Sequence, residues 1–366
     1  MQRRWWNWMP AVALPAVVVG GVLVGSLPAS AQDPPPPRTA EQVLALAAGS
    51  QARQFSGDVE QRSDLGIPSL SGALGSASPG ASSPSSGSAP GAGTLAGQAA
   101  ALDLLTGTHT ARVYADGPTR TRIQVLDRLA ERDVIRDGTQ VWTWDSKANA
   151  ATRLTLPSTS ADPTPTAPTV TPDRLAQRFL TRAAPSTAVG LGPATTVAGR
   201  SAYQLILTPR TAATLVSSVA VAVDAGTGLP LSVDVFARGQ QQPAFHTAFT
   251  ALDLRAPDAS RFRFTPPAGA TVTQQALPTP TAKQHTPAPA GQRPAVRGSG
   301  WDAIMVVPAA AVPAGTLSSP LITRLATPVP GGRVLSTSLV TVLLADDGRV
   351  LAGAVPLSAL QAAAAR

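Results

Sequence analysis

Hydrophobic and polar residues alternate along most of this chain, with the period of two that is typical of half-buried strands. The clearest example runs from Gln140 to Asp145, where Trp142 and Trp144 fall on one side and Thr143 on the other. Turn signals such as Asp137-Gly138 separate this strand from its neighbours. Short strands joined by tight turns predict an antiparallel meander, because parallel pairing needs longer crossovers.

The same alternation predicts strands at residues 55–60, 108–115, 119–126, 131–136, 152–156, 195–198, 202–208, 219–224, 231–237, 244–254 and 261–264. The capping box Thr39-x-x-Gln42 predicts a helix over about 40–50, and Thr171-Pro172-Asp173 predicts another over 172–183. A short helix at 95–105 and a closing helix from about Leu357 complete the pattern, together with a strand pair around Asp346-Asp347-Gly348.

Alternate residues of these strands are apolar or aromatic, which predicts one continuous apolar face on a long antiparallel sheet. If a curved sheet wraps only two short helices, an apolar cavity remains, and a fully packed core is the alternative that the pattern allows equally. The candidate residues of the cavity are Ile123, Val125, Trp142, Trp144, Tyr203, Leu205, Val221, Val233, Phe245 and Phe249.

Composition makes the globular part smaller than the 366 residues suggest. Proline (36) and glycine (31) are well above ordinary usage and concentrate in tracts such as residues 66–93, which we expect to be a disordered loop. The predicted division is a signal peptide (1–31), a proline-rich leader (32–38), a β domain (39–275), a proline-rich linker (276–296) and a C-terminal α+β extension (297–366).

The N-terminus has the layout of a secretory signal peptide. Arg3 and Arg4 precede an uncharged stretch at residues 10–27, and Ala29-Ser30-Ala31 follows as a small-x-small cleavage site. We expect export and cleavage after Ala31; the alternative is an uncleaved anchor formed by residues 10–27. The chain has no cysteine, which excludes disulfides and a lipid-modified N-terminal cysteine.

The sequence offers no constellation for catalysis, a cofactor or a metal. His109, His246 and His285 are far apart; the first two are expected to be solvated strand residues, and the third lies in the linker. There is no Gly-x-Ser-x-Gly elbow, and Asp346-Asp347-Gly348 is interpreted as a turn. The net charge of +8 comes from scattered arginines, which argues against nucleic-acid binding. We therefore predict a non-enzymatic protein.

The run from Asp137 to Asp145, followed by Thr152-Arg153-Leu154, resembles the hallmark hairpin of the LolA/RseB-like superfamily of exported lipoprotein and lipid carriers. Four further segments agree in order and spacing: 198–205, 223–230, the strand at Phe245, and 262–270. The layout is similar to an actinobacterial branch. The resemblance covers about residues 39–273 and implies an incomplete antiparallel β-barrel closed by helices, with a concave apolar surface that holds acyl chains. By it, Trp142 and Trp144 would lie on or near that surface.

Two functional hypotheses follow. The first is a carrier that shields an acyl chain of a lipid or a lipidated peptide in the half-barrel. The second is an RseB-like envelope-stress regulator, in which residues 297–366 contact a membrane-anchored anti-sigma factor.

Overall fold

The chain folds mainly into β-sheet. The computed structural model describes residues 35–66, 107–127, 130–156, 185–276, 293–312, 315, 317 and 320–366. The helices in this part are α1 (Ala40–Ala48), α2 (Pro320–Leu325) and α3 (Leu357–Ala364). The strands are β1 (Gln54–Ser63), β2 (Gly107–Asp116), β3 (Arg120–Asp127), β4 (Ala130–Asp137), β5 (Gln140–Asp145), β6 (Ala150–Thr155), β7 (Thr187–Leu191), β8 (Thr195–Val197), β9 (Arg200–Pro209), β10 (Val216–Asp224), β11 (Pro230–Ala237), β12 (Phe245–Asp253), β13 (Thr271–Ala276), β14 (Ala295–Arg297), β15 (Ile304–Val307), β16 (Thr327–Val329), β17 (Gly332–Ser336), β18 (Thr341–Ala345) and β19 (Val350–Gly353).

Thirteen strands form one large curved sheet in the order β13-β6-β5-β4-β3-β2-β1-β12-β11-β10-β9-β7, with β8 also paired to β9. The two end strands, β13 and β7, are not paired with each other, so the sheet stays open. The predicted fold class, an α+β and mainly β half-barrel, is confirmed. Strand β1 lies between β2 and β12 and so joins a first meander, β2 to β6, to a second meander, β9 to β12.

The segment that follows β12 departs from the antiparallel expectation. Residues 261–264 were expected to be a strand, but Ala259–Phe262 is a 3-10 turn capped by Asp258, whose carboxylate accepts from Ser260 N at 2.8 Å. The chain then enters β13, which pairs parallel with β6. This pairing is possible because the long connection from β12 crosses the sheet, as parallel strands require.

Helix α1 forms as its capping box predicts. The Thr39 hydroxyl accepts from Gln42 N at 3.2 Å, and the Gln42 side chain accepts from Thr39 N at 2.9 Å. Val43 is fully buried and packs against the sheet. Gly228, in the β10–β11 turn, has φ +75° and lies so close to the Leu46 carbonyl that a Cβ would clash with it.

The C-terminal residues form a separate six-stranded sheet in the order β14-β15-β19-β18-β17-β16. Helix α3 covers one face, where Leu343, Leu351 and Leu360 are fully buried. The β18–β19 pair and the closing helix agree with the sequence pattern. The other strands of this sheet are mostly three to five residues long, which is too short for alternation to identify.

Several expectations lie outside the described residues: the signal peptide 1–31, the loop 66–93 apart from its first residue, the helices at 95–105 and 172–183, and most of the proline-rich linker. Within the described residues, the helices are all too short or too polar to cross a membrane.

Candidate ligand-binding face

The strand register shows which candidate residues share a face, because residues directly opposite each other in neighbouring strands point the same way. On one side of the sheet, Val125 lies opposite Ala111, Ala111 opposite Val59, and Val59 opposite Phe249. Side chains two positions apart on a strand also share a face, so Ile123 belongs to this set.

The same face continues across the second meander. Thr247, two residues before Phe249, lies opposite Val233, which lies opposite Val221 and then Leu205. We call this side the helix face, since α1 packs on it. Eight of the ten candidate residues lie on the helix face: Ile123, Val125, Tyr203, Leu205, Val221, Val233, Phe245 and Phe249.

Trp142 and Trp144 lie on the opposite face. Ile123 is opposite Val134, and Val134 is opposite Thr143, so the residues on either side of Thr143 point away from the helix face. The expectation that all ten residues share one face is therefore wrong for this pair. The alternating pattern shows which residues of a strand share a side. It does not show which of the two sides lies next to the apolar side of the neighbouring strand, because that depends on the register of the hairpin.

The two tryptophans are covered by the chain itself. Residues 259–264, which we call the strap, run across the side of the sheet that carries Trp142 and Trp144. We call this side the strap face. The Phe264 ring lies 5.5 Å from that of Trp142 and 5.9 Å from that of Trp144, measured between centroids. Phe262 is only 2% exposed. Both indoles stay half-buried under the strap.

A buried ion pair joins the strap to the sheet. The Arg122 guanidinium pairs with Asp133, whose side chain is almost fully buried, and also donates to the Arg261 carbonyl at 3.3 Å. Burial raises the pKa of Asp133 to about 6, although Arg122 opposes that shift and the neighbouring Glu131 adds to it. These contacts of Arg122 hold the strap in place. We therefore interpret the ion pair as structural rather than catalytic.

Helix α1 covers one part of the helix face. Tyr203 and Leu205 are buried against Val43, and the Tyr203 hydroxyl donates to the Pro36 carbonyl at 2.6 Å. The Arg38 guanidinium lies over the Tyr203 ring at 5.7 Å from its centroid. The end of the proline-rich leader is therefore fixed to the same face as α1.

Trp301, in the C-terminal part of the chain, covers another part of the helix face. This indole is 5% exposed and forms one cluster with Val216, Val219 and the half-buried Val221 and Val233. Its Nε1 donates to the hydroxyl of Thr187, which begins β7, at 2.7 Å. Sequence reasoning missed this residue, because nothing local indicates that an aromatic residue in a short 3-10 turn packs on a distant sheet.

Hydrogen bonds to backbone carbonyls complete the contact between the two sheets. The Ala354 carbonyl accepts both from the Thr214 hydroxyl and from Leu215 N, each at 2.7 Å. Ser338 N donates to the Leu65 carbonyl at 2.9 Å. The C-terminal sheet is thus held against the helix face at separate points.

Two histidines differ from the solvated strand residues that the sequence predicts. His109 is only 8% exposed and lies on the helix face, opposite Gln61, so the expectation is wrong. His246 is half-buried on the opposite face, with Nδ1 2.5 Å from Asp234 Oδ1. Among the described residues no three His, Cys, Asp or Glu side chains group closely enough to bind a metal ion.

An open pocket of about 770 Å³ lies where α1 ends. Its lining includes Leu46, Arg53, Gly226 and Leu254. None of the ten candidate residues lines this pocket, and its lining includes polar as well as apolar residues.

Comparison with known proteins finds distant similarities among solved structures. No protein-family model matches the chain, and no match was found among curated proteins. Among solved structures, a chain in the MucA/MucB complex of Pseudomonas aeruginosa is 19% identical to this chain, with a TM-score of 0.44. The match covers 88% of this chain and 96% of the other. A LolA superfamily protein of Nitrosomonas europaea is 12% identical, with a TM-score of 0.23 and coverage of 62% and 99%.

A third similar structure is a putative outer membrane lipoprotein-sorting protein domain of Vibrio parahaemolyticus, at 9% identity and a TM-score of 0.23, covering 61% of this chain and 97% of the other. One of these similar structures carries the name of the LolA superfamily, which the motifs in the sequence also resemble. At these identities and TM-scores the likeness transfers no function. The actinobacterial branch stays a prediction.

Proposed function

We propose that this chain is an exported, non-enzymatic carrier that binds the acyl chain of a lipid or a lipidated peptide on the helix face. One observation carries the proposal: eight apolar or aromatic candidate residues, distant in sequence, share one face of an open sheet. Such a ligand needs apolar surface rather than a cofactor or a metal. In this proposal residues 39–275 hold the ligand, after export by the segment 1–31.

The energetics favour an acyl chain as the ligand. Each buried methylene contributes roughly 0.8 kcal/mol, so a long chain gains enough free energy to outweigh the cost of its ordering. Apolar contacts of this kind need no exact polar geometry. This explains how a face composed largely of valine, leucine and phenylalanine side chains would serve as the binding surface.

The proposed entry point is a part of the helix face where an apolar side chain is exposed among the described residues. Val134 lies directly opposite Ile123 on this face and remains 46% exposed, although it is apolar. Tyr203, Leu205 and their neighbours are covered by α1 and by Trp301. A ligand would therefore enter beside Ile123 and Val134. Trp142 and Trp144 are not part of the proposed surface.

The variant Ile123→Asp tests the proposal. A carboxylate at this position would face the acyl chain, and we expect at least a roughly tenfold weaker affinity for a fluorescent acyl probe, since an apolar contact does not compensate for its desolvation. Titration of the probe into purified protein measures the affinity. Val272→Asp, on the exposed edge strand β13, is the matched control and should bind like the wild type. Equal affinity in both variants would argue against the helix face.

A second candidate function is the regulator that binds a membrane-anchored anti-sigma factor. It is favoured by the C-terminal sheet, which exposes 47% of Val296 and 41% of Val340. Exposed apolar side chains of this kind are typical of protein contacts. If this function holds, Val296→Asp will abolish capture of a single-span regulatory protein from host membranes, whereas Ile123→Asp will leave that capture unchanged.

A further inference from the structure

The free edge of strand β13 lacks the features that keep sheet edges from pairing. Its six residues, Thr-Val-Thr-Gln-Gln-Ala, include no charge and no proline, and valine and threonine favour a strand. Among the described strands only β6 pairs with β13, so the backbone groups on its other edge have no strand partner. Residues 271–275 are all exposed, including the apolar Val272 at 45%. Such an edge is a template for a further strand.

The other edge strands in the described part of the chain are shorter or protected. Strands β8, β14 and β16 are each three residues long, and the last two carry Arg297 and Pro328. Strand β7 has five residues, contains Gly190, and begins at the buried Thr187, which accepts the hydrogen bond from Trp301. The edge of β13 is therefore the longest of these and the least protected.

Strand β13 is already held in an extended form. It pairs with β6 along all six of its residues. Asn149, in the turn before β6, accepts from Thr271 N at 2.9 Å through its carbonyl, and its side chain donates to the Gly269 carbonyl at 3.0 Å. It adopts a φ of +47°, which asparagine tolerates better than most residues. A partner would bind an edge that needs no further ordering, which favours affinity.

The chemistry and the size of the edge indicate what kind of partner fits it. A row of backbone N–H and C=O groups is complemented by another extended polypeptide backbone. The strand offers six residues, whereas a stable interface between two folded proteins uses about 20–30 residues a side. The edge alone is therefore too small for a stable dimer of this chain. An extended peptide needs only the edge itself.

The charge beside the edge favours an acidic peptide. Arg153, the single charged residue of β6, lies opposite Gln274 and also opposite Trp142, so it points to the strap face. Its guanidinium lies 5.7 Å from the centroid of the Trp142 ring, and its buried Nε has no hydrogen-bond partner. No acidic residue in the described part of the chain forms an ion pair with it. A carboxylate on an incoming strand would supply the opposite charge.

We propose that the free edge of β13 binds an extended, acidic segment of another protein, which adds to the large sheet as a further strand. The backbone of the segment exchanges hydrogen bonds with β13, and a carboxylate on its strap-face side pairs with Arg153. The contact uses the edge of the sheet rather than the helix face, so the inference does not rest on the proposed carrier function.

Hydrogen–deuterium exchange of the full chain tests the proposal. The probe is a ten-residue peptide of threonine and valine with two adjacent glutamates at its centre, so that one carboxylate lies on the strap-face side in either orientation. We expect the probe to slow exchange of the backbone amides of residues 271–276 and to leave β14 unchanged. N-methylation of alternate amides of the probe should abolish binding on one set of positions and preserve it on the other, because only one edge of the peptide faces β13.

Arg153→Gln tests the charge. This variant should bind the glutamate probe about threefold more weakly, as expected for one partly exposed ion pair, and should bind a matching probe with two glutamines like the wild type. Arg366→Gln removes the same charge from an exposed position in the C-terminal part of the chain and is the matched control. Fluorescence anisotropy of the labelled probes measures the affinities.

Three results would contradict the proposal. If residues 271–276 are not protected, or if both N-methylated probes bind like the parent peptide, no strand adds at β13. Protection that rises with protein concentration in the absence of the probe would assign the edge to a second copy of this chain. An equal loss of both probes in Arg153→Gln would overturn the role of its charge, because it would mean damage to the strand.

Discussion

Trp301→Ala is expected to lower the free energy of unfolding by about 3–5 kcal/mol, and at the same time to strengthen the binding of apolar ligands. The stability falls because the indole is 5% exposed and fills the space over Val216 and Val219. Its removal also leaves the buried Thr187 hydroxyl without the hydrogen bond from Nε1. The affinity rises because Val221 and Val233, which pack against the cluster that contains Trp301, become available to the ligand.

Urea denaturation measures the loss of stability, and titration with N-phenyl-1-naphthylamine measures the affinity. Trp142→Ala is the matched control, since it also removes an indole but lies on the strap face against Phe264. It should destabilise the protein without strengthening dye binding. If Trp301→Ala is destabilised but binds the dye no more tightly than the control, the C-terminal sheet does not compete with ligand for the helix face.

Phe262→Ala is expected to cost about 3–5 kcal/mol of stability as well, but to leave ligand affinity unchanged. Phe262 is 2% exposed and fixes the strap to the strap face, with the Arg120 guanidinium 5.9 Å from its ring centroid. The cavity left by its removal cannot close fully, because the strap is also held by Arg122. Thermal and urea unfolding measure the effect.

The comparison with Trp301→Ala separates the two faces of the sheet. Both substitutions remove a large buried aromatic residue, yet only the one on the helix face should alter ligand binding. Phe264→Ala, at a half-buried position of the same strap, should cost less than Phe262→Ala and serves as its control. A marked loss of ligand affinity in Phe262→Ala would place the binding surface on the strap face, next to Trp142 and Trp144.

Local patterns in the sequence predict the elements well. The capping box at Thr39 and Gln42 locates α1, because both hydrogen bonds form within one turn of the chain. The strand pattern around Gln140 to Asp145 is equally reliable, since alternation and the flanking turns lie within a few residues. These features depend on neighbours in sequence, which is why they can be read without the fold.

Relations between distant strands could not be predicted in the same way. The face of Trp142 depends on the register of the hairpins from β3 to β5, which no single strand encodes. The burial of His109 depends on β1, which lies about fifty residues earlier in the chain. The contact of Trp301 with β10 joins two different sheets. Sequence reasoning therefore identified most of the candidate surface but not what covers it.

Three buried polar residues on adjacent strands illustrate the same limit. Gln61, His109 and Thr247 each appear unremarkable in sequence, as polar residues in strands that also carry apolar ones. Only the pairing of β1 with both β2 and β12 brings them together. Their proximity could thus be found only once the register was known.

Photo-crosslinking tests the central claim most directly. A monoacylglycerol with a diazirine in its acyl chain is bound to the wild-type protein and irradiated, and mass spectrometry locates the labelled residues. The account predicts labels on the helix face, at Ile123, Val125, Val233 or Phe245, that disappear with excess unlabelled lipid. Labels concentrated at Trp142 and Trp144, or labelling that excess lipid does not reduce, would contradict it.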